Sequence, residues 1–143
     1  MLVDIYTMKE SNNDVKGSKM YGNLAHNTYA ENNVGIESPN KLIEMLYEGV
    51  LRFNAQAKKA IKDENIEKKV YWANRSIAIV TELGAILDMS QGNVAGYLKG
   101  LYAYQTQLLN AAILENDIEK IDEVSNVFKG LLDGWRETTD VAI

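Results

Sequence analysis

The sequence predicts an all-α fold, an antiparallel up-and-down four-helix bundle preceded by a mobile N-terminal arm that can include a short helix. The 143-residue chain has one proline, Pro39, and beyond it apolar residues recur with the helical period almost to the end. Turn signals divide this region into four segments of helical length, joined by connections of only a few residues. Such short connections make neighbouring helices run antiparallel.

Composition allows one domain and excludes several classes of function. An apolar content of 46% is enough for one core. The absence of cysteine excludes disulfides and zinc-thiolate sites. A net charge of -5 with only three arginines argues against nucleic acid as a partner. No segment approaches the roughly 18 uninterrupted apolar residues of a membrane-spanning helix, and the N-terminus lacks the apolar core of a secretory signal.

The predicted domain boundary lies at the single proline. Residues 1–37 are expected to form a flexible arm, because the segment is polar, rich in asparagine and carries only isolated apolar residues such as Tyr21, Leu24 and Tyr29. Within this arm, residues 1–19 are interpreted as a possible extension without an assigned function. Residues 38–143 are expected to form the bundle.

Capping residues predict where the first two helices begin. Ser38 offers an N-cap acceptor and Pro39 a preset φ, so the first helix is expected to start there and run to about Lys62. Asn65 is expected to cap the second helix. The apolar seam of that helix would alternate steps of four and three residues, as in a bundle. This seam would comprise Ile66, Val70, Ala73, Ile77, Val80, Gly84 and Leu87.

Two further caps complete the prediction. Asn93 is expected to cap a third helix that ends at about Glu115. Asn116, with Glu119 three residues later, resembles a capping box and is expected to start the fourth helix. The inward residues of the third helix would be Leu98, Leu101, Leu108 and Ala112. Those of the fourth would be Ile121, Val124, Phe128, Leu131 and Trp135.

The first helix carries more apolar surface than a bundle helix needs. Its predicted core face comprises Leu42, Ile43, Leu46, Val50, Phe53, Ala57 and Ile61. At 100° per residue, Met45 lies on one flank of this face, and Tyr47 with Leu51 on the other. The second helix has an additional apolar row, formed by Trp72, Ile79, Leu83 and Ile86.

Two explanations of this surplus remain open. One is broad core packing, since each helix of a bundle touches two others. The other is a groove lined by methionine, tyrosine and leucine that accepts an amphipathic or extended segment of a partner. The arm leaves a similar choice, between a removable lid on such a groove and a disordered tail.

No catalytic centre, metal site or cofactor is expected. The single histidine, His26, lies in the arm, and the Glu-x-x-His motif of di-iron bundles is absent because position 23 is Asn. A cavity for small anions would need several inward arginines, and only Arg75 is suitably placed. Gly96 and Gly100 recur at helical spacing and are expected to mark close helix packing, because no phosphate-loop motif accompanies them.

A more specific pattern begins at Met20. Its strongest part is the run Leu42-Ile43-Glu44-Met45-Leu46-Tyr47-Glu48-Gly49, together with Tyr29, Val34 and Ser38-Pro39. It continues with Glu82-Leu83, Leu87-Asp88, Leu101-Tyr102-Ala103-Tyr104, Asn116-Asp117 and Trp135. In these residues the chain resembles the flagellin export chaperones of the FliS type. It departs from them at Gly92-Asn93, Ala112-Ile113 and Gly134.

The resemblance implies a cytoplasmic export chaperone without catalytic activity. It would bind the C-terminal segment of flagellin, prevent premature polymerisation and deliver flagellin to the flagellar type III export apparatus. The loaded complex would dock on the cytoplasmic domain of the export gate. The alternative is a general helical adaptor or a self-associating bundle. Neither nucleic acid nor direct membrane insertion is expected.

The resemblance also implies residues that hold the partner. Tyr29 would be the lid contact. The groove and its support would be formed by Leu42, Met45, Leu46, Tyr47, Val50, Tyr102 and Leu109. Met45 and Tyr47 are the sharper candidates because the helical wheel places them beside the predicted core face. Plain core packing is the competing interpretation for every residue of this set.

Overall fold

Four long helices packed in a ring form the described part of the chain. The computed structural model describes residues 38–142, with side chains as far as Thr139. The helices are α1 (Pro39–Lys62), α2 (Ile66–Ala85), α3 (Asn93–Glu115) and α4 (Ile118–Ala142), with a short 3-10 helix, Met89–Gln91, between α2 and α3. Helix α1 packs against α2 and α4, and α3 packs against the same two helices. The predicted all-α four-helix bundle is confirmed.

The predicted arm, with Tyr29 and the possible extension, lies outside the described residues. The start of the bundle follows the capping prediction. The Ser38 hydroxyl accepts a hydrogen bond from the Lys41 amide at 3.3 Å. The Asn65 side chain accepts one from the Lys68 amide at 3.0 Å. Each cap satisfies one of the amides that a helix N-terminus leaves without an intrahelical acceptor.

The predicted caps of the third and fourth helices are wrong. Gly92 is the N-cap of α3, with φ +76° and no side-chain cap, and Asn93 is already helical. Asn116 closes α3 instead of opening α4, because it adopts the left-handed conformation that asparagine tolerates. The Asp117 side chain then accepts a hydrogen bond from the Lys120 amide at 3.3 Å. A short polar side chain suits both the end and the start of a helix.

The core face of α2 lies between the two apolar rows of the sequence. Ile66 is 71% exposed and Val70 36% exposed, so the first two positions of the predicted seam are wrong. The buried apolar residues of α2 are Ala73, Ile79, Val80 and Leu83. A pattern of alternating fours and threes fits two adjacent helix faces equally well, and the positions of α1 and α3 select between them.

Close helix packing occurs at a different glycine from those predicted. Nothing lies within 4 Å of a Cβ built on Gly96 or Gly100, so both expectations are wrong. A Cβ on Gly49 would instead lie 2.7 Å from the Cδ1 atom of Ile79. The missing side chain at Gly49 therefore lets α2 approach α1 closely.

A buried polar bridge connects three helices at the centre of the bundle. The Ser76 hydroxyl donates to the Asn54 Oδ1 atom at 2.6 Å, and the Asn54 Nδ2 group donates to the Ser125 hydroxyl at 3.0 Å. Asn54 and Ser76 are fully buried. Because each buried group has a partner, the bridge fixes the register of α1 against α2 and α4 without an unpaired acceptor on Asn54.

Candidate functional site

An aromatic cluster occupies the end of the bundle where α1 begins and α4 ends. It comprises Tyr47 of α1, Tyr102 of α3, and Phe128 and Trp135 of α4. The Phe128 ring centroid lies 5.8 Å from that of Tyr47 and 6.1 Å from that of Tyr102. The Trp135 ring meets Tyr47 edge-on at 6.4 Å. Such contacts between large rings hold this end of the bundle together.

The two tyrosines of the cluster share a hydrogen bond. Their hydroxyl oxygens lie 2.7 Å apart, and burial raises the pKa of both phenols. Each side chain is 4% exposed. The prediction that Tyr47 lies beside the core is therefore wrong, because the ring turns inward between Phe128 and Trp135.

The remaining predicted site residues within the described part of the chain divide into two groups. Leu46, Val50 and Leu109 are completely buried in the core. Leu42 and Met45 are half-buried and pack against its edge. Of the predicted α1 site residues, only these two offer side-chain surface to a partner. Tyr29 lies outside the described residues.

An ionic and hydrogen-bonded clamp fixes the first turns of α1 to the last turns of α4. The Arg136 Nε group donates to Glu44 at 2.9 Å, and its Nη2 group donates to Glu48. The hydrogen bond from Arg136 is the main reason that the pKa of Glu44 lies below its usual range. The Trp135 indole donates to the Asn40 carbonyl at 2.9 Å. These contacts hold the N-terminal turns of α1 against α4.

Exposed apolar residues concentrate on the connection between α2 and α3, at this same end. They are Ile86, Met89, Val94 and Tyr97. The short 3-10 helix and Gly92, with φ +76°, form this connection before α3 begins. Sequence reasoning did not assign these residues to a site. The sequence did carry a signal for these exposed residues, because Met89 and Val94 flank a polar turn and fit the apolar seam of neither helix.

One buried acid was also missed by sequence reasoning. Glu82 of α2 is 6% exposed, and its Oε1 atom has no hydrogen-bond partner. Burial raises the pKa of this carboxyl to about 7. A buried carboxyl without a partner is destabilising, and such groups concentrate at functional sites. The available signal was a charged residue between Ile79, Leu83 and Ile86.

Between Ser38 and Thr139, no group of three or more histidine, cysteine, aspartate or glutamate side chains is placed to hold a metal ion. No helix in the described range is long and apolar enough to cross a membrane.

Comparison with known proteins gives a consistent result. The family model described as flagellar protein FliS matches residues 21–142. A flagellar secretion chaperone FliS of Campylobacter jejuni is 57% identical over 119 residues, which cover 82% of this chain and 93% of the relative. The flagellar secretion chaperone FliSB of Pseudomonas aeruginosa is 33% identical over 122 residues, covering 85% and 94%. FliS of Escherichia coli is 29% identical over 125 residues, covering 86% and 89%. The chain therefore belongs to the FliS family of flagellar secretion chaperones.

Proposed function

We propose that the protein is a cytoplasmic export chaperone that binds the C-terminal segment of flagellin. Occupation of this segment prevents premature polymerisation, and the complex delivers flagellin to the flagellar type III export apparatus by docking on the cytoplasmic domain of the export gate. The observation that carries the proposal is similarity to secretion chaperones over nearly their whole length, 93% of the Campylobacter jejuni relative.

The geometry of α1 supports a binding surface at Leu42 and Met45. Both side chains are half-buried, so each has an anchored base and an open edge. Methionine adapts to the shape of a partner at little cost because its side chain is unbranched. The clamp formed by Arg136, Glu44 and Glu48 holds this part of α1 in place before a partner arrives. Preorganisation of this kind reduces the ordering cost of binding.

The buried members of the predicted set act as support. Leu46, Tyr47, Val50, Tyr102 and Leu109 form the floor beneath the surface and do not touch the partner directly. Tyr29 acts as a lid contact that leaves when flagellin binds.

The test is a calorimetric titration of the full-length protein with the C-terminal segment of its own flagellin. Two variants form a matched pair, Met45→Gln and Leu114→Gln. Each replaces an apolar side chain by glutamine, which is a good helix former. Leu114 serves as the control because it is 84% exposed on α3 and lies far along the chain from the proposed surface. Tyr47→Ala is a poor probe, because it would open a cavity in the core.

The proposal expects saturable one-to-one binding with a negative heat-capacity change, weakened several-fold by Met45→Gln and unchanged by Leu114→Gln. Absence of binding to the wild-type protein would overturn it.

The alternative of a self-associating bundle is favoured by the exposed Ile66 and Leu114, whose helices are linked by a 2.8 Å hydrogen bond from Lys69 to Asn116. In that case light scattering would show a concentration-dependent mass that Leu114→Gln reduces.

A further inference from the structure

The register of α1 against α2 places Glu82 at the level of the α1 residues that form the proposed binding surface. The Arg75 guanidinium lies 4.9 Å from the centroid of the Phe53 ring, and Ile79 packs on Gly49. The helices are antiparallel, so a step of four residues forward on α2 corresponds to four residues backward on α1. The next step brings Glu82 to the level of Leu46, and the residue after Glu82 to the level of Met45.

No charged group of the described residues compensates Glu82. Its raised pKa has burial as its only cause. On α1, Glu44 and Glu48 are engaged by Arg136 of α4, and Arg52 lies over the Phe53 ring. On α2 itself, Arg75 stacks two turns away on Phe53 and Tyr71. On α3, Lys99 is exposed. The Oε1 atom therefore retains an acceptor capacity that the free protein does not use.

We propose that Glu82 is a contact residue of the binding surface, whose carboxylate is buried in the free protein and turns toward the bound flagellin segment to accept a hydrogen bond from one of its donors. The donor is a backbone amide or a lysine or arginine side chain. This inference rests on the proposed function and deepens it. The unused acceptor is destabilising in the free protein and is satisfied in the complex, so it fixes the register of a segment that apolar contacts alone would leave free to slide.

Proton release on binding follows from this assignment. Near pH 7 about half of the free molecules carry a protonated Glu82, because the group titrates close to that pH. Either donor stabilises the carboxylate and lowers its pKa in the complex. Binding near neutrality therefore releases up to about half a proton, and affinity increases from pH 6 to pH 8.

The experiment compares full-length wild type with Glu82→Gln and the matched control Glu67→Gln, an exposed glutamate of the same helix. Each protein is titrated at pH 7 with the flagellin C-terminal segment in phosphate and in Tris, two buffers with different ionisation enthalpies. The difference between the measured heats gives the number of protons released. Thermal unfolding of each variant, followed by circular dichroism, checks that it folds.

The expected result is release of protons by wild type and Glu67→Gln but not by Glu82→Gln. The latter also binds roughly tenfold or more weakly, because it loses a charge-assisted hydrogen bond. Equal affinity and equal proton release in wild type and Glu82→Gln would overturn the role of Glu82 and leave the chaperone function standing. Failure of wild type itself to bind would overturn the proposed function and this inference with it.

Discussion

The hydroxyl oxygens of Tyr47 and Tyr102 lie 2.7 Å apart inside the bundle. Their hydrogen bond joins α1 to α3, the two helices that lie opposite each other in the four-helix ring. Tyr47 belongs to the run in which the sequence most resembles the FliS-type chaperones, yet its side chain is buried. In the proposed function its contribution to partner binding is therefore indirect, through the position of α1. The same distinction separates Leu46 and Val50 from Met45.

Removing one hydroxyl of this pair should cost more stability than its share of the hydrogen bond. In Tyr47→Phe the Tyr102 hydroxyl is left buried without its partner, which should lower the free energy of unfolding by about 1–3 kcal/mol. The double variant with Tyr102→Phe should lose less than the sum of the two single variants. Urea unfolding followed by circular dichroism measures all three, and strictly additive losses would contradict the pairing.

A methyl group at Gly49 should be harmful only while Ile79 keeps its Cδ1 atom. Gly49→Ala gains about 1 kcal/mol of helix propensity. The new Cβ would, however, lie 2.7 Å from Ile79 Cδ1, so the buried Ile79 side chain would have to shift within the core. We expect a net loss of about 1–2 kcal/mol from overpacking.

The second half of this experiment is the background Ile79→Val, which removes the clashing atom. In that background Gly49→Ala should become neutral or stabilising in urea unfolding. A loss of equal size in both backgrounds would mean that another contact limits the approach of α1 and α2.

The stability of the free protein should fall as the pH rises from acidic values to neutrality. The pKa of Glu82 is raised from 4.5 to about 7 in the folded state, so the unfolded state binds fewer protons between these values. Stability contributed by the neutral carboxyl is present at acidic pH and is lost between about pH 4.5 and 7, by up to roughly 3 kcal/mol. Urea unfolding of wild type and Glu82→Gln from pH 5 to 8 measures it. The difference between the two proteins should grow with pH, and a constant difference would refute the assignment.

Loss of the proposed lid contact should strengthen partner binding. In Tyr29→Ala the arm competes less well for the binding surface, so the apparent affinity for the flagellin C-terminal segment should rise a few-fold. The substitution Tyr97→Ala, at an exposed tyrosine of α3, serves as the control. Calorimetry of the two full-length variants decides, and unchanged or reduced affinity in Tyr29→Ala would remove the lid from the proposal.

Several elements of this protein are determined locally and could be predicted from the sequence. Ser38, Pro39 and Asn65 set the starts of α1 and α2 through hydrogen bonds and dihedral angles that involve only a few consecutive residues. The short connections between long helices then leave an antiparallel bundle as the natural arrangement.

What the sequence could not decide are the contacts that depend on neighbouring helices. The wheel of α1 places Tyr47 on a flank, but whether a flank faces solvent or Phe128 depends on the position of α4. Likewise Gly49, and not Gly96, marks the close contact, because only Gly49 meets a helix there.

The sequence by itself determined the helical fold and the family, since helix caps, apolar periodicity and a long characteristic run are local properties. The tertiary structure decided which predicted site residues keep exposed side-chain surface, Leu42 and Met45, and which are buried in the core. It also revealed Glu82 as a buried acid without a hydrogen-bond partner on Oε1. The physical reason is that burial and hydrogen-bond satisfaction are properties of the packed assembly of helices, so no single helical wheel contains them.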